Sequence, residues 1–153
     1  MLFPTHLVAA LLVGRQWPYP LLPVVVGAAL PDVVDKPAAM LGITGLFHSV
    51  GHSLVALVVV AFVAAWYRRL VPLCVGWGSH LALDAFHMVV NGRPADVKFL
   101  AWPFVTHTPA VNLPPLEFAA FYLWTPSFFA ELLIWLAFGY VLVTTRRASD
   151  DGQ

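Results

Sequence analysis

Charge is what this chain has least of. Lysine, arginine, aspartate and glutamate together make up 10% of its 153 residues, where a soluble domain carries about a quarter. That scarcity excludes an ordinary water-facing surface. The formal net charge is zero, so there is no basic footprint for nucleic acid and no such partner is expected. Cysteine is nearly absent. Cys74 stands alone, which excludes an internal disulfide and any CxxC metal site. Within an apolar run it reads as a small packing residue. The opening stretch Met1-Leu2-Phe3-Pro4-Thr5-His6 has no basic residue ahead of its apolar run. A retained helix is therefore expected rather than a cleaved signal peptide.

What is present is apolar surface: 60% of residues are hydrophobic and the mean hydropathy is +0.81. The expected fold is all-α, a multi-spanning membrane bundle of four to five transmembrane helices. It forms a single integral membrane domain over residues 1–147, followed by a polar C-terminal tail over 148–153. The apolar runs are Leu2 to Gly14, Leu21 to Leu30, Val50 to Tyr67, about Leu70 to Val90, and Pro126 to Thr145. The first two are short for full spans and are expected to be tilted or to end inside protein. The second is expected to stop at Pro31-Asp32, with a polar loop on to about Phe47, because Pro37 disfavours helix before it. Five prolines between Arg93 and Trp124 exclude one long helix there, and the aromatics place that stretch at the membrane surface. Thr125-Pro126 reads as an N-cap followed by proline at the first helical position. Arg15, Arg68-Arg69 and Arg146-Arg147 close alternate runs, which predicts a cytoplasmic C-terminus and an extracytoplasmic N-terminus.

The polar residues inside these runs are few and patterned. His80, Asp84 and His87 follow at i, i+4 and i+7 and share one face of a helix. His48 and His52 are also four apart, which predicts a shared face at the start of the third run. Counting about 1.5 Å per residue from the cytoplasmic ends puts His80 roughly 15 Å up, His52 roughly 22 Å and His6 roughly 13 Å. Asp32 and Asp35 lie just beyond the outer end of the second run. Five of the six histidines and three of the eight acids thus converge on one level. Intramembrane ionisable groups are expensive and mark function. Imidazoles and carboxylates in this proportion suit a divalent metal: zinc, with manganese or iron as alternatives, as one ion or two. The candidate ligands are His6, Asp32, Asp35, His48, His52, His80, Asp84 and His87. Of these, His87 has the alternative of simply reaching the interface. Whichever of Asp32 and Asp35 is not a ligand is the candidate general base. Ser49 and Ser53 read as supporting hydroxyls, His107 as a surface residue and Glu131 as a buried, hydrogen-bonded acid.

Several motifs stand in a recognisable order: an N-terminal His6, Pro31-Asp32-Val33-Val34-Asp35, His48-Ser49-Val50-Gly51-His52-Ser53 and Gly76-Trp77-Gly78-Ser79-His80-Leu81-Ala82-Leu83-Asp84. Over roughly residues 1 to 104 the chain resembles the YdjM-like family of inner-membrane proteins, described as membrane-bound, metal-dependent hydrolases. It departs from that family's pattern in two places. The acidic motif is one residue longer, and the arginine and threonine of the usual His-Arg-Gly-x-Thr-His-Ser are missing. More distantly it is similar to the helical zinc-dependent phospholipase C and nuclease superfamily. There a His-x-x-x-Asp pair like His80 and Asp84 binds zinc, and an N-terminal histidine binds a further metal. The resemblance implies hydrolysis of a phosphoester. The depth of the polar level, where head groups sit, points to a lipid or lipid-linked substrate. A metal-stabilised, non-enzymatic scaffold is the second expectation and a metal or proton transporter the third. Nothing in the sequence sets the oligomeric state.

Overall fold

The computed structural model describes residues 1–150, with side chains through Arg147. Of the expected tail, residues 148–150 continue the last helix and 151–153 lie outside the described residues. All regular structure among the described residues is helical. Six α-helices follow in order: α1 Phe3–Arg15, α2 Leu21–Met40, α3 Leu54–Trp66, α4 Val71–Val90, α5 Pro115–Tyr122 and α6 Pro126–Asp150, with 3₁₀ segments at Arg68–Leu70 and Pro94–Ala101. Two stretches are long and apolar enough to cross a membrane, Arg68–Val90 and Pro126–Arg147. Helices α1 and α3 are apolar but shorter.

Two expectations about helix ends are overturned. Helix α2 does not stop at Pro31 but runs through Asp32, Asp35 and Pro37 to Met40. Pro31 offers no N–H to the carbonyl four residues back, which ordinarily breaks a helix. Packing on α4 overrides that cost. A Cβ on Gly27 would fall 2.0 Å from the Leu73 carbonyl oxygen, and one on Gly76 would fall 1.8 Å from that of Val24. The two backbones meet through this pair of glycines, the close approach that membrane helices use. Val24, Ala28 and Ala10 of α1, all fully buried, fill the space beside it.

The second correction concerns the third run. His48 and His52 are not on a helix; α3 begins only at Leu54. Ser53 caps it, its Oγ accepting from the N–H groups of Val55 and Ala56. That satisfies donors a helix start leaves open and ends the preceding loop. Thr125 stands at the N-cap position of α6, ahead of Pro126 as expected, but its hydroxyl turns the other way. Thr125 Oγ1 donates to the Tyr122 carbonyl, while Asn91 at the end of α4 accepts from Ser127 N (3.1 Å) and donates to Ser127 Oγ (2.8 Å). Asn91 thereby ties the start of α6 to the end of α4.

Helices α1 and α6 run side by side in the same direction. Near their starts, Glu131 accepts from Leu2 N at 3.3 Å and from Thr5 Oγ1. Near their ends, Arg15 Nη2 donates to Thr145 Oγ1 at 3.4 Å. Glu131 is buried and hydrogen-bonded as expected, and its charge faces the positive end of the α1 dipole. The outer face of α6 presents Leu133, Leu136 and Tyr140, each about two-thirds exposed. Such a face is stable only against an apolar medium.

Candidate metal centre

Four segments meet at the α4 face. His80, Asp84 and His87 are all buried there, as their spacing predicts. Helix α2 brings Asp32 and Asp35, α1 brings His6, and the loop before α3 brings His48 and His52. This loop is shaped by Asp35. Its carboxylate accepts from Ser49 N (2.6 Å), Ser49 Oγ (3.0 Å), Gly51 N (2.9 Å), His52 N (3.1 Å) and His52 Nδ1 (2.8 Å). Gly51 lets the loop lie on α2, since a Cβ there would fall 2.8 Å from the Pro31 carbonyl oxygen. Trp77 of α4 donates from Nε1 to the Gly51 carbonyl at 2.7 Å and locks the other side.

Hydrogen bonds at one nitrogen set the direction of the other. His80 Nδ1 lies 2.7 Å from the Ala28 carbonyl, which can only accept, so that nitrogen carries a proton. His52 Nδ1 faces the Asp35 carboxylate in the same way. Both Nε2 atoms then point inward, 3.2 Å from each other. Around them stand Asp84 Oδ2, 3.2 Å from His80 and 3.5 Å from His52, and Asp32 Oδ1, 3.7 Å and 3.3 Å from the same two nitrogens. His6 stacks on His80 with ring centroids 3.8 Å apart and reaches Asp84 Oδ1 with Nε2 at 3.2 Å. His48, the least buried of the set, places Nε2 3.6 Å from Asp84 Oδ2.

The donor set fits a cation. With both Nδ1 atoms engaged from behind, the two Nε2 atoms aim at one point flanked by carboxylates, a place that suits a cation. Asp32 is buried, yet neither of its oxygens accepts a hydrogen bond, and its charge partner is Lys36 Nζ at 3.0 Å. His6 Nδ1 is buried without a partner. Unsatisfied buried polar atoms of this kind are costly unless something else binds them. Among the described residues three groups gather ligand atoms within 4.8 Å of one another: His6, His80 and Asp84; Asp32, His52 and His80; and His48, His52 and Asp84.

Asp35 and His87 fall outside these groups. Asp35 is occupied by its five donors. His87 lies 2.6 Å from the Met1 amino group through Nδ1 and 3.1 Å from Arg93 Nη2 through Nε2. The Met1 amino group also donates to Asp84 Oδ1 at 3.2 Å.

Sequence reasoning missed a second polar node next to the centre. Arg93 Nη1 donates to Asp96 Oδ2 at 3.0 Å, and Asp96 Oδ1 accepts from His107 Nε2 (2.9 Å) and Ala110 N (3.1 Å). His107 is thus half-buried and bonded, a correction to its reading as a surface residue. The only sequence signal was the opposite charge of Arg93 and Asp96 three residues apart. Burial pushes the Asp96 carboxyl up, but the His107 and Ala110 bonds and the Arg93 charge outweigh it and hold the carboxyl below its ordinary value. A small cavity of about 30 Å³ opens onto the centre, lined by His48, Asp84 and His87 together with Lys36, Arg93 and the 111–118 stretch.

An all-α chain with two membrane-length apolar helices and a buried cluster of histidine and aspartate is a membrane protein able to coordinate a metal ion. The sequence model of the YdjM inner membrane protein family matches residues 1–149, and the chain belongs to that family. No curated protein and no solved structure matches it.

Proposed function

We propose that the chain is a membrane-bound, metal-dependent hydrolase that cleaves a phosphoester of a lipid or lipid-linked substrate. The observation that carries the reading is the pair of inward-facing Nε2 atoms of His52 and His80, set beside the buried carboxylates of Asp84 and Asp32. A bound divalent cation, zinc with manganese or iron as alternatives, would polarise a phosphoryl oxygen and make a bound water acidic near neutral pH. His52 and His80 each offer only Nε2, their Nδ1 atoms being engaged by Asp35 and the Ala28 carbonyl, which limits how the three ligand groups combine. Two ions fit only as His6, His80 and Asp84 for one and His48, His52 and Asp84 for the other, because only Asp84, with two oxygens, can serve both. Asp32 is then the acceptor for the proton of the attacking water. Asp35 does not take that role; it orients His52, as an outer carboxylate does for a ligating histidine.

The lipid assignment draws support from the apolar outer face of α6 and from a cluster formed within the helices. We further propose that α1 to α4 and α6 make up the four to five crossings of one integral domain over residues 1–147. Arg15 beside Thr145 places the ends of α1 and α6 together, which supports a cytoplasmic C-terminus with the metal site toward the outer surface of the inner membrane. The cavity reaching His48 and Asp84 favours an enzyme over a closed structural site, since a catalytic centre keeps access for water.

The test is elemental analysis of the protein purified in detergent without chelator, coupled to turnover of a panel of phosphoesters and phospholipids. Wild-type protein is expected to carry metal and cleave at least one compound, and His80→Ala to lose both. Loss of metal in His80→Ala with turnover unchanged would overturn the mechanism.

A further inference from the structure

The cavity over the centre is bordered by two cationic side chains and by the Met1 amino end. The chain has eight lysines and arginines. Arg15, Arg68, Arg69, Arg146 and Arg147 belong to the opposite end of the helices, and Lys98 is exposed on the Pro94–Ala101 segment. Lys36 and Arg93 remain, from helix α2 and from the turn after α4, and both line the cavity beside His48, Asp84 and His87. We infer that Lys36 and Arg93 form an anion subsite that binds phosphoryl oxygens against the His48–Asp84 edge of the centre. The use of this subsite in hydrolysis rests on the function proposed above; its affinity for phosphate does not.

Arg93 is held for such a role. Nη1 is bonded to Asp96 and Nη2 to His87 Nε2, which fixes the guanidinium plane. Asp96 is itself buried and tied by His107 and Ala110 N. A guanidinium has five N–H donors and an ammonium three. With Asp96 and His87 on the arginine and Asp32 on the lysine, both keep donors for a ligand. A fixed guanidinium and an ammonium lining one cavity suit the oxygens of a phosphate, which take paired, charge-assisted hydrogen bonds. A cavity of about 30 Å³ has room for roughly two waters, and phosphoryl oxygens would replace them.

The experiment measures binding of inorganic phosphate by calorimetry to wild-type protein in detergent, once with its metal and once after chelation, and to Arg93→Gln, Arg93→Lys and Lys36→Gln. Melting temperature and metal content are recorded for each. Phosphate is expected to bind wild type in both conditions, more weakly after chelation. Binding is expected to weaken about tenfold or more in Arg93→Gln and in Lys36→Gln, with Arg93→Lys in between and metal content kept. A neutral phosphate triester is expected not to bind. A second arm uses dihexanoyl phosphatidic acid, and affinity well above that for inorganic phosphate identifies a lipid headgroup as the source of the anion. Equal affinity identifies a free or soluble phosphate. Phosphate binding that is undiminished in both Arg93→Gln and Lys36→Gln, or absent from wild type in both conditions, overturns the subsite. Arg93-dependent binding in a protein that carries no metal keeps the subsite and overturns the hydrolase reading alone.

Discussion

His52 and His80 hold their Nε2 atoms 3.2 Å apart because each ring is fixed from behind, His52 by Asp35 and His80 by the Ala28 carbonyl. Neither ring can turn away without giving up a buried hydrogen bond. The pair therefore aims two nitrogens at one point, and a cation that binds there in the folded state alone raises its stability. The melting temperature is expected to fall on chelation and to recover when zinc or manganese is returned. His52→Ala and His80→Ala are expected to melt at one temperature with or without chelator. A wild-type melting temperature that ignores chelation would count against a metal at this position.

Asp32 and Asp35 are three residues apart on α2, yet they should behave in opposite ways. Asp35 satisfies five donors of the 49–52 loop, so Asp35→Ala leaves buried N–H groups open. A loss of about 3 kcal/mol or more is expected, together with metal affinity reduced about 10- to 100-fold through the misplaced His52. Asp32 takes no donor from the loop or backbone; its contact is the partly exposed Lys36 ammonium at 3.0 Å. Asp32→Asn keeps the side chain's shape and gives up that one ion pair, worth about 1 kcal/mol or less. The chelated protein is therefore expected to lose far less stability than Asp35→Ala while hydrolysis is lost. Denaturation curves and metal titrations on the two variants decide the matter. Equal destabilisation by both would remove the distinction drawn between them.

How much of this was legible in the sequence follows from which interactions are local. The α4 stripe of His80, Asp84 and His87 came directly from helical period, and the start of α6 from Pro126. His48 and His52 were paired for the wrong reason. Their spacing of four matched a helix, but the contact is made by a loop wrapped around the Asp35 carboxylate, and the cap at Ser53 starts the helix after them. Pro31 and Pro37 hid the length of α2 because the rule that proline ends a helix is local. What overrides it, the meeting of Gly27 and Gly76 with the facing backbones, joins residues about fifty apart. The Arg93–Asp96–His107 node was hidden for the same reason, since a proline-rich stretch shows no period from which to place His107.

The glycine contact makes a sharp prediction. Gly76→Ala would put a methyl 1.8 Å from the Val24 carbonyl oxygen and 2.9 Å from Ala28 N, both backbone atoms that no rotamer change can move. It should separate α2 from α4, and with them Asp32 from His80. Destabilisation of about 3 kcal/mol or more is expected, with metal binding lost in the same variant. Gly78→Ala on the same helix is the control. Its nearest neighbour is Leu57 Cδ2 at 3.6 Å, and alanine favours helix over glycine by about 1 kcal/mol. That variant is expected to be as stable as wild type or more so. Denaturant curves in detergent compare the two, and a Gly76→Ala protein as stable as Gly78→Ala would contradict the packing.

The segment after α4 should detach in acid. The Asp96 carboxyl sits below its ordinary value, held there by His107, Ala110 N and Arg93 against the effect of burial. A carboxylate depressed in the folded state contributes stability that is fully present above its unfolded value, near pH 4. That stability is lost as the pH falls through the lower, folded value. Amide hydrogen exchange around Ala110 is therefore expected to be slow at neutral pH and to quicken below about pH 4, beyond the intrinsic pH dependence of exchange. Asp96→Ala should leave it quick at every pH and cost about 1.5 to 3 kcal/mol of local stability, the value of hydrogen bonds to a charged group. His107→Ala removes one of the three partners and should give an intermediate rate. If exchange in wild type and Asp96→Ala has the same pH profile, the carboxylate does not hold this segment, and the segment's position over the cavity must come from its apolar contacts through Leu113 and Phe118 instead.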